Sequence, residues 1–112
     1  MAIGDVTQKK LLAKALSATN TDSSITGAAS KVTTITSITL VNLNTTTART
    51  VTIYGYGTPA GNTIAVITLP ALGTEILTGL DYVLEAAEVY YFSQDTGTDI
   101  NVTVMGIEEV VS

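Results

Sequence analysis

Hydrophobic and polar positions along this chain trade places in short runs bounded by Gly, Pro, Asn and Asp, and no long amphipathic helical stretch stands out. The best-patterned region is Val32 to Gly57, VTTITSITLVNLNTTTARTVTIYGYG. It predicts two long strands, Val32–Asn44 and Arg49–Tyr56, joined by the polar run Thr45–Ala48, because branched and aromatic side chains suit a pleated, half-buried surface. In the first strand Ile38 and Leu40 share one parity, whereas Ile35, Val41 and Leu43 take the other. A bulge, or burial on both faces, accounts for that break. The second strand alternates cleanly, with Val51, Ile53 and Gly55 against Thr50, Thr52, Tyr54 and Tyr56. Ile38, Leu40, Val51 and Ile53 are therefore expected as core residues of one sheet face.

Shorter elements surround this pair. Residues 1–17 form an N-terminal arm or first element, distinct from a sandwich domain over 18–112. Asp5 with Gln8 could cap a short helix carrying Leu11, Leu12, Ala15 and Leu16 on one face. The same letters also alternate as a strand, with Leu12, Lys14 and Leu16 on one side, and periodicity does not decide between the two. As an arm, this segment would dock on a neighbouring subunit through Leu12 and Leu16. Ala18–Ser24 reads as a loop, Ile25 as the start of a brief strand, and Gly57–Asn62 as a turn. Thr63–Leu69 is a strand ended by Pro70, Gly73–Thr78 a short strand, and Tyr82–Ala87 a single helical turn or a wide loop. Val89–Ser93 and Asp99–Ile107 are strands, with Gly106 placed for a bulge. Seven to eight short strands without a long helix predict an all-β fold, an antiparallel, jelly-roll-like β-sandwich with a short N-terminal arm.

Charge sharpens the picture. Arg49 is the only charged residue from Val32 to Thr74, so something must cover that region, either the chain or a partner. The net charge is −5, which argues against nucleic acid as a partner. It is also uneven: Lys9, Lys10, Lys14 and Lys31 lie in the first third, and Glu75 to Glu109 holds acids and no base. Such opposite-sign ends can pair within the chain or between copies of it. No apolar run approaches the ~20 residues that span a bilayer, so no membrane partner is expected.

The candidate chemistry is thin. The 112 residues contain no His and no Cys, which removes the Ser–His and Cys–His pairs and any zinc–thiolate site. No phosphate-cradling loop is present, and no cofactor is implied. Asp95 and Asp99, flanking Thr-Gly-Thr, are a weak calcium candidate, set against a plain solvated turn. Glu85 and Glu88 are too poorly supported by aromatic residues for sugar chemistry, since no Trp lines a cleft. Tyr91 is expected in the core, with Tyr90 and Phe92, of the opposite parity, facing a neighbouring subunit. The hydroxyl-rich face of Thr50, Thr52, Tyr54 and Tyr56 suits close uncharged contact with another chain.

The order Ile35-Thr36-Ser37-Ile38-Thr39-Leu40-Val41-Asn42, then Ala48-Arg49-Thr50-Val51-Thr52-Ile53-Tyr54, resembles small β-structured virion proteins of tailed bacteriophages. Ile67-Thr68-Leu69-Pro70, Val83-Leu84-Glu85-Ala86 and Asn101 through Glu108 follow in the same order. The resemblance spans about Ala18 to Val110 and rests on that order. It implies a non-enzymatic head decoration, accessory or tail protein, assembled in the host cytoplasm into the virion. It also implies partners among phage capsid or tail proteins, and a homo-oligomer with a trimer favoured. Few edge guards occur in Val32–Leu69, which independently calls for a covering copy. The alternative is a carbohydrate- or ligand-binding sandwich module of a surface adhesin.

Overall fold

The computed structural model describes residues 2–19, 23–56 and 62–112. Nine strands occur among them: β1 Val6–Ala15, β2 Ser24–Thr26, β3 Lys31–Asn42, β4 Arg49–Gly55, β5 Thr63–Leu69, β6 Thr74–Leu77, β7 Tyr82–Leu84, β8 Val89–Gln94 and β9 Ile100–Val110. They form two antiparallel sheets, the all-β sandwich expected, with one or two strands more than expected. The first sheet runs β1-β9-β3-β6, with β7 also on β3, and the second runs β2-β8-β4-β5. The pairings nest: β1 with β9, β2 with β8, β3 with β6 and β7, β4 with β5. The chain is thus one long hairpin wrapped into two layers. Most of the turn expected at Gly57–Asn62 lies outside the described residues, as do residues 20–22 of the Ala18–Ser24 loop.

The N-terminal segment is a strand and not a helix. Asp5 accepts the Ala2 amide at 3.0 Å, closing a turn that leads into β1. The register slips between Lys10 and Leu12, so that Leu11 and Leu12 both pack against the core. Tyr82–Leu84 is likewise a strand, held by Thr33, Thr34 and Ile35 of β3.

Parity in β3 is broken by a second bulge. The pairing with β9 shifts between Ile35 and Ser37, leaving Thr36 as the extra residue. Ile35 and Ile38 therefore both point inward, although they differ in sequence parity. Gly106 sits opposite Ile35, where a Cβ would run into the Thr34 carbonyl and Leu11. Glycine is needed here for close approach, and the chain bulges around it on both neighbouring strands.

The core confirms part of one expectation and corrects the rest. Ile38, Leu40, Val51 and Ile53 are all fully buried. They do not belong to one sheet face: Ile38 and Leu40 come from β3 in the first sheet, Val51 and Ile53 from β4 in the second. Residues 43–48 form a crossover between the layers and not a hairpin. Phe92, Tyr90, Leu69 and Ile25 complete the second layer, and Ile35, Leu84, Ile100, Val102 and Val104 the first.

Candidate assembly surfaces

Each proposed contact residue now has a place. Leu16 is fully buried, and its amide donates to the Ile100 carbonyl, so it is core and not an interface residue. Leu12 is half-buried and packs on the same core. Tyr90 and Phe92 point inward, at 3% and 0% exposure, while Tyr91 is half-buried on the outside. The expectation for these three was inverted. Alternation fixed that Tyr90 and Phe92 share a face, but the two-layer core needs that face for its ring-sized side chains.

The outer face of the second sheet is as the β4 alternation implied. Thr50, Thr52 and Tyr54 are half-buried and project away from the core. Their register neighbours are Thr68, Val66 and Thr63 on β5, with Ser93 and Tyr91 on β8. Thr50 and Thr68 hydroxyls lie 3.1 Å apart, and Val66 is 62% exposed. The residues of β4, β5 and β8 on this face carry no charge, and Asp95, just past β8, stands beside Thr50 at its end, its amide donating to the Thr50 carbonyl.

Tyr56 has a different task. It holds a positive φ of 63°, and its hydroxyl donates to the Val83 carbonyl of the opposite sheet at 2.7 Å. Its ring meets Tyr90 edge-on, with centroids 5.1 Å apart. Burial, with the neighbouring Tyr56 hydroxyl, pushes the Tyr90 phenol well above the usual tyrosine range.

A polar cluster that pattern reading missed closes one end of the sandwich. The Asn42 amide donates to the Thr47, Leu69 and Pro70 carbonyls. Asn44 accepts the Thr46 and Thr47 amides, forming an Asx turn, and donates to Asp99 at 2.8 Å. Gln94 donates to Asp99 at 2.8 Å and accepts the Ile100 amide. Arg49 lies 3.1 Å from the same carboxylate and also donates to the Thr96 hydroxyl. The Asn44 hydrogen bond, then those of Gln94 and Arg49, holds the Asp99 carboxyl well below the usual carboxylate range. The sequence signals were available: Asn-Leu-Asn ending a strand, and the solitary Arg49.

This cluster also answers the calcium candidate. Asp99 is engaged by three donors, one of them a guanidinium, and Asp95 accepts the Thr96 amide instead. The two carboxylates are taken up by different partners, so the pair is not assembled as a cation site. Among the described residues no group of three or more His, Cys, Asp or Glu side chains converges, and no pocket opens. Among the described residues no helix is long and apolar enough to cross a membrane.

The uneven charge is partly absorbed within the chain. Lys9 and Lys31 both approach Glu108, at 3.1 and 3.6 Å, and Arg49 pairs with Asp99. Glu108 is inward-facing at the end of β9, which is why it takes two lysines.

No protein-family model matches this chain, and no curated protein matches it. Among solved structures it is similar to a Bacillus endospore appendage protein of a family of disulfide-linked pili, with a TM-score of 0.52 at 15% identity. That match covers 100% of this chain and 96% of the other. The chain is also similar to N-terminal modules of a Clostridium thermocellum endo-1,4-beta-D-xylanase complexed with xylohexaose, with a TM-score of 0.44 at 9% identity. Here it covers 96% of its own length and only 27% of the enzyme chain. A family two carbohydrate esterase from Cellvibrio japonicus follows, with a TM-score of 0.35, 8% identity, and coverage of 98% and 35%. At these identities the likeness is one of fold, and of the three the appendage protein alone carries it.

Proposed function

We propose that this chain is a non-enzymatic structural subunit that assembles with copies of itself, and that its setting is the virion of a tailed bacteriophage. The observation that carries the assembly reading is the uncharged outer face of the second sheet, where Thr50, Thr52, Tyr54, Val66, Thr68 and Tyr91 stand together. A face of hydroxyls and aliphatic groups whose strands carry no charge suits permanent contact better than permanent solvation. The likeness of the whole chain to a pilus-forming protein supports a structural subunit. The strand-order resemblance supports the virion setting and a decoration or accessory role. The nested strand pairing supports a jelly-roll reading of the sandwich, and jelly rolls are an architecture used by capsid proteins. These 112 residues contain no cysteine, so no disulfide between them links the copies.

Size-exclusion chromatography with light scattering, run at micromolar concentration and followed by negative-stain microscopy, tests the reading. Particles of several chains are expected. A species of 11.6 kDa at every concentration would overturn it.

A further inference from the structure

We infer that copies of this chain join head to tail through opposite edges of the first sheet, the β1 edge of one protomer pairing antiparallel with the β6–β7 edge of the next. This rests on the self-assembling reading above and adds its direction and register.

The two edges carry opposite charge. Within β1 the charged residues are Lys9, Lys10 and Lys14, with no acid from Val6 to Ala15. Along the other edge, from Thr74 to Glu88, stand Glu75, Asp81, Glu85 and Glu88, with no base. Lysines on β1 reject a second β1, and acids on β6–β7 reject a second copy of that edge. Like-charge repulsion therefore removes both symmetric pairings and leaves the heterologous one.

Strand direction permits it. β1 is antiparallel to β9, β9 to β3, and β3 to β6 and β7. Consequently β1 and β3 run one way and β6 and β7 the other. A neighbour placed beside the sheet without being turned over presents its β1 antiparallel to β6–β7, and the ladder continues unbroken.

The rows also agree. Leu40 pairs with Glu75 on one side and Val102 on the other, and Val102 pairs with Lys14, so Glu75 and Lys14 share a row. Ser37 pairs with Met105, which pairs with Lys10. On the far edge that level falls in the β6–β7 connection, where the Leu80 amide donates to Thr36 and Asp81 precedes Tyr82. Between these charged rows, Ile76 at 59% exposure shares the row of Ala13, through Thr39 and Thr103. The opposite-charge row of Glu75 and Lys14 on one side of the apolar row, and Lys10 near the level of Asp81 on the other, make a complementary seam. A heterologous contact of this kind builds a ring if its rotation closes and a fibre if it does not. The competing edge is β5, which is uncharged over Thr63–Leu69.

The test uses the full chain with Lys10→Glu, Asp81→Lys and, at the competing edge, Val66→Lys. Circular dichroism verifies folding, and Ala13→Glu or Glu75→Lys replaces a swap that misfolds. Lys10→Glu alone and Asp81→Lys alone are each expected to weaken assembly by roughly tenfold or more. An equimolar mixture should restore it, because the two variants alternate with every seam again of opposite sign. Wild-type assembly with both swaps as competent as wild type would overturn the head-to-tail seam and leave self-assembly standing. Loss of assembly in both swaps without recovery on mixing would overturn it too, as would loss in Val66→Lys alone. A wild-type chain that stays monomeric overturns the self-assembling reading, and the seam with it.

Discussion

The side-chain amide of Asn42, fully buried in the first sheet, donates to the carbonyl oxygen of Leu69 in the second at 3.2 Å. With Thr47 and Pro70 as further acceptors, one asparagine ties β3, the crossover and the end of β5 together. Asn42→Ala should cost about 1–3 kcal/mol, the penalty for stranding buried carbonyls without a donor. Asn42→Asp should cost more, since it turns a carboxylate toward those oxygens. Denaturant unfolding measures both. A change below about 0.5 kcal/mol, the level of an ordinary surface substitution, would show that water replaces the amide.

Acid should loosen the same end of the molecule. The Asp99 carboxyl is lowered in the folded state, while an unfolded chain titrates it near ~3.9. The stabilisation is therefore complete above that unfolded value and is lost as pH falls through the lower folded value. Unfolding free energy should drop on going from about pH 5 into the strongly acid range, and Asp99→Asn should flatten that limb. Parallel pH profiles for the two proteins would assign the acid sensitivity elsewhere.

Gly106 admits no side chain. A Cβ there would meet the Thr34 carbonyl and lie 2.6 Å from the Leu11 Cδ1 atom. Backbone cannot swing aside as a side-chain tip can, so Gly106→Ala should cost about 1–3 kcal/mol, the usual range for overpacking. A thermal melt of the variant checks this, and an unchanged midpoint would mean that the two flanking bulges absorb the extra carbon.

How far these features could be read from the letters depends on the range of the interaction behind them. The bounds of β5, Thr63–Leu69, are legible because Pro70 ends a ladder locally. A break in β3 is legible because Ile35 and Ile38 differ in parity while both are apolar, although only the partner strand places the bulge at Thr36. The link between β3 and β4 is not legible: Thr45–Ala48 is short and polar whether it turns a hairpin or crosses between sheets. What decides is Asn42 reaching Leu69 and Asn44 reaching Asp99, contacts 27 and 55 residues apart in sequence. For the same reason Asp99 read as half of a cation site until Arg49 and Gln94 were beside it. At β8 the period of two set Tyr90 and Phe92 together, but which side was inward depended on the opposite layer.

Ile53 and its neighbour Thr52 separate the two faces of the second sheet. Ile53 is fully buried and pairs with Phe92 and Ala65, whereas Thr52 is half-buried on the outer face beside Val66 and Ser93. Ile53→Ala should cost ~2–5 kcal/mol through lost burial and the cavity left in a two-layer core. That is a large share of the ~5–15 kcal/mol available to a domain of ordinary stability. Thr52→Ala should stay within about 0.5 kcal/mol in an isolated chain, as surface changes do. If the uncharged face packs on a neighbouring copy, the Thr52→Ala cost should grow with protein concentration, because assembly adds its free energy to the folded state by mass action. Denaturant melts of both variants at two concentrations, an order of magnitude apart, separate these terms. A cost that is equally small at both concentrations for Thr52→Ala would remove this side chain from any assembly contact, while a small cost for Ile53→Ala would mean that the second layer repacks around the loss.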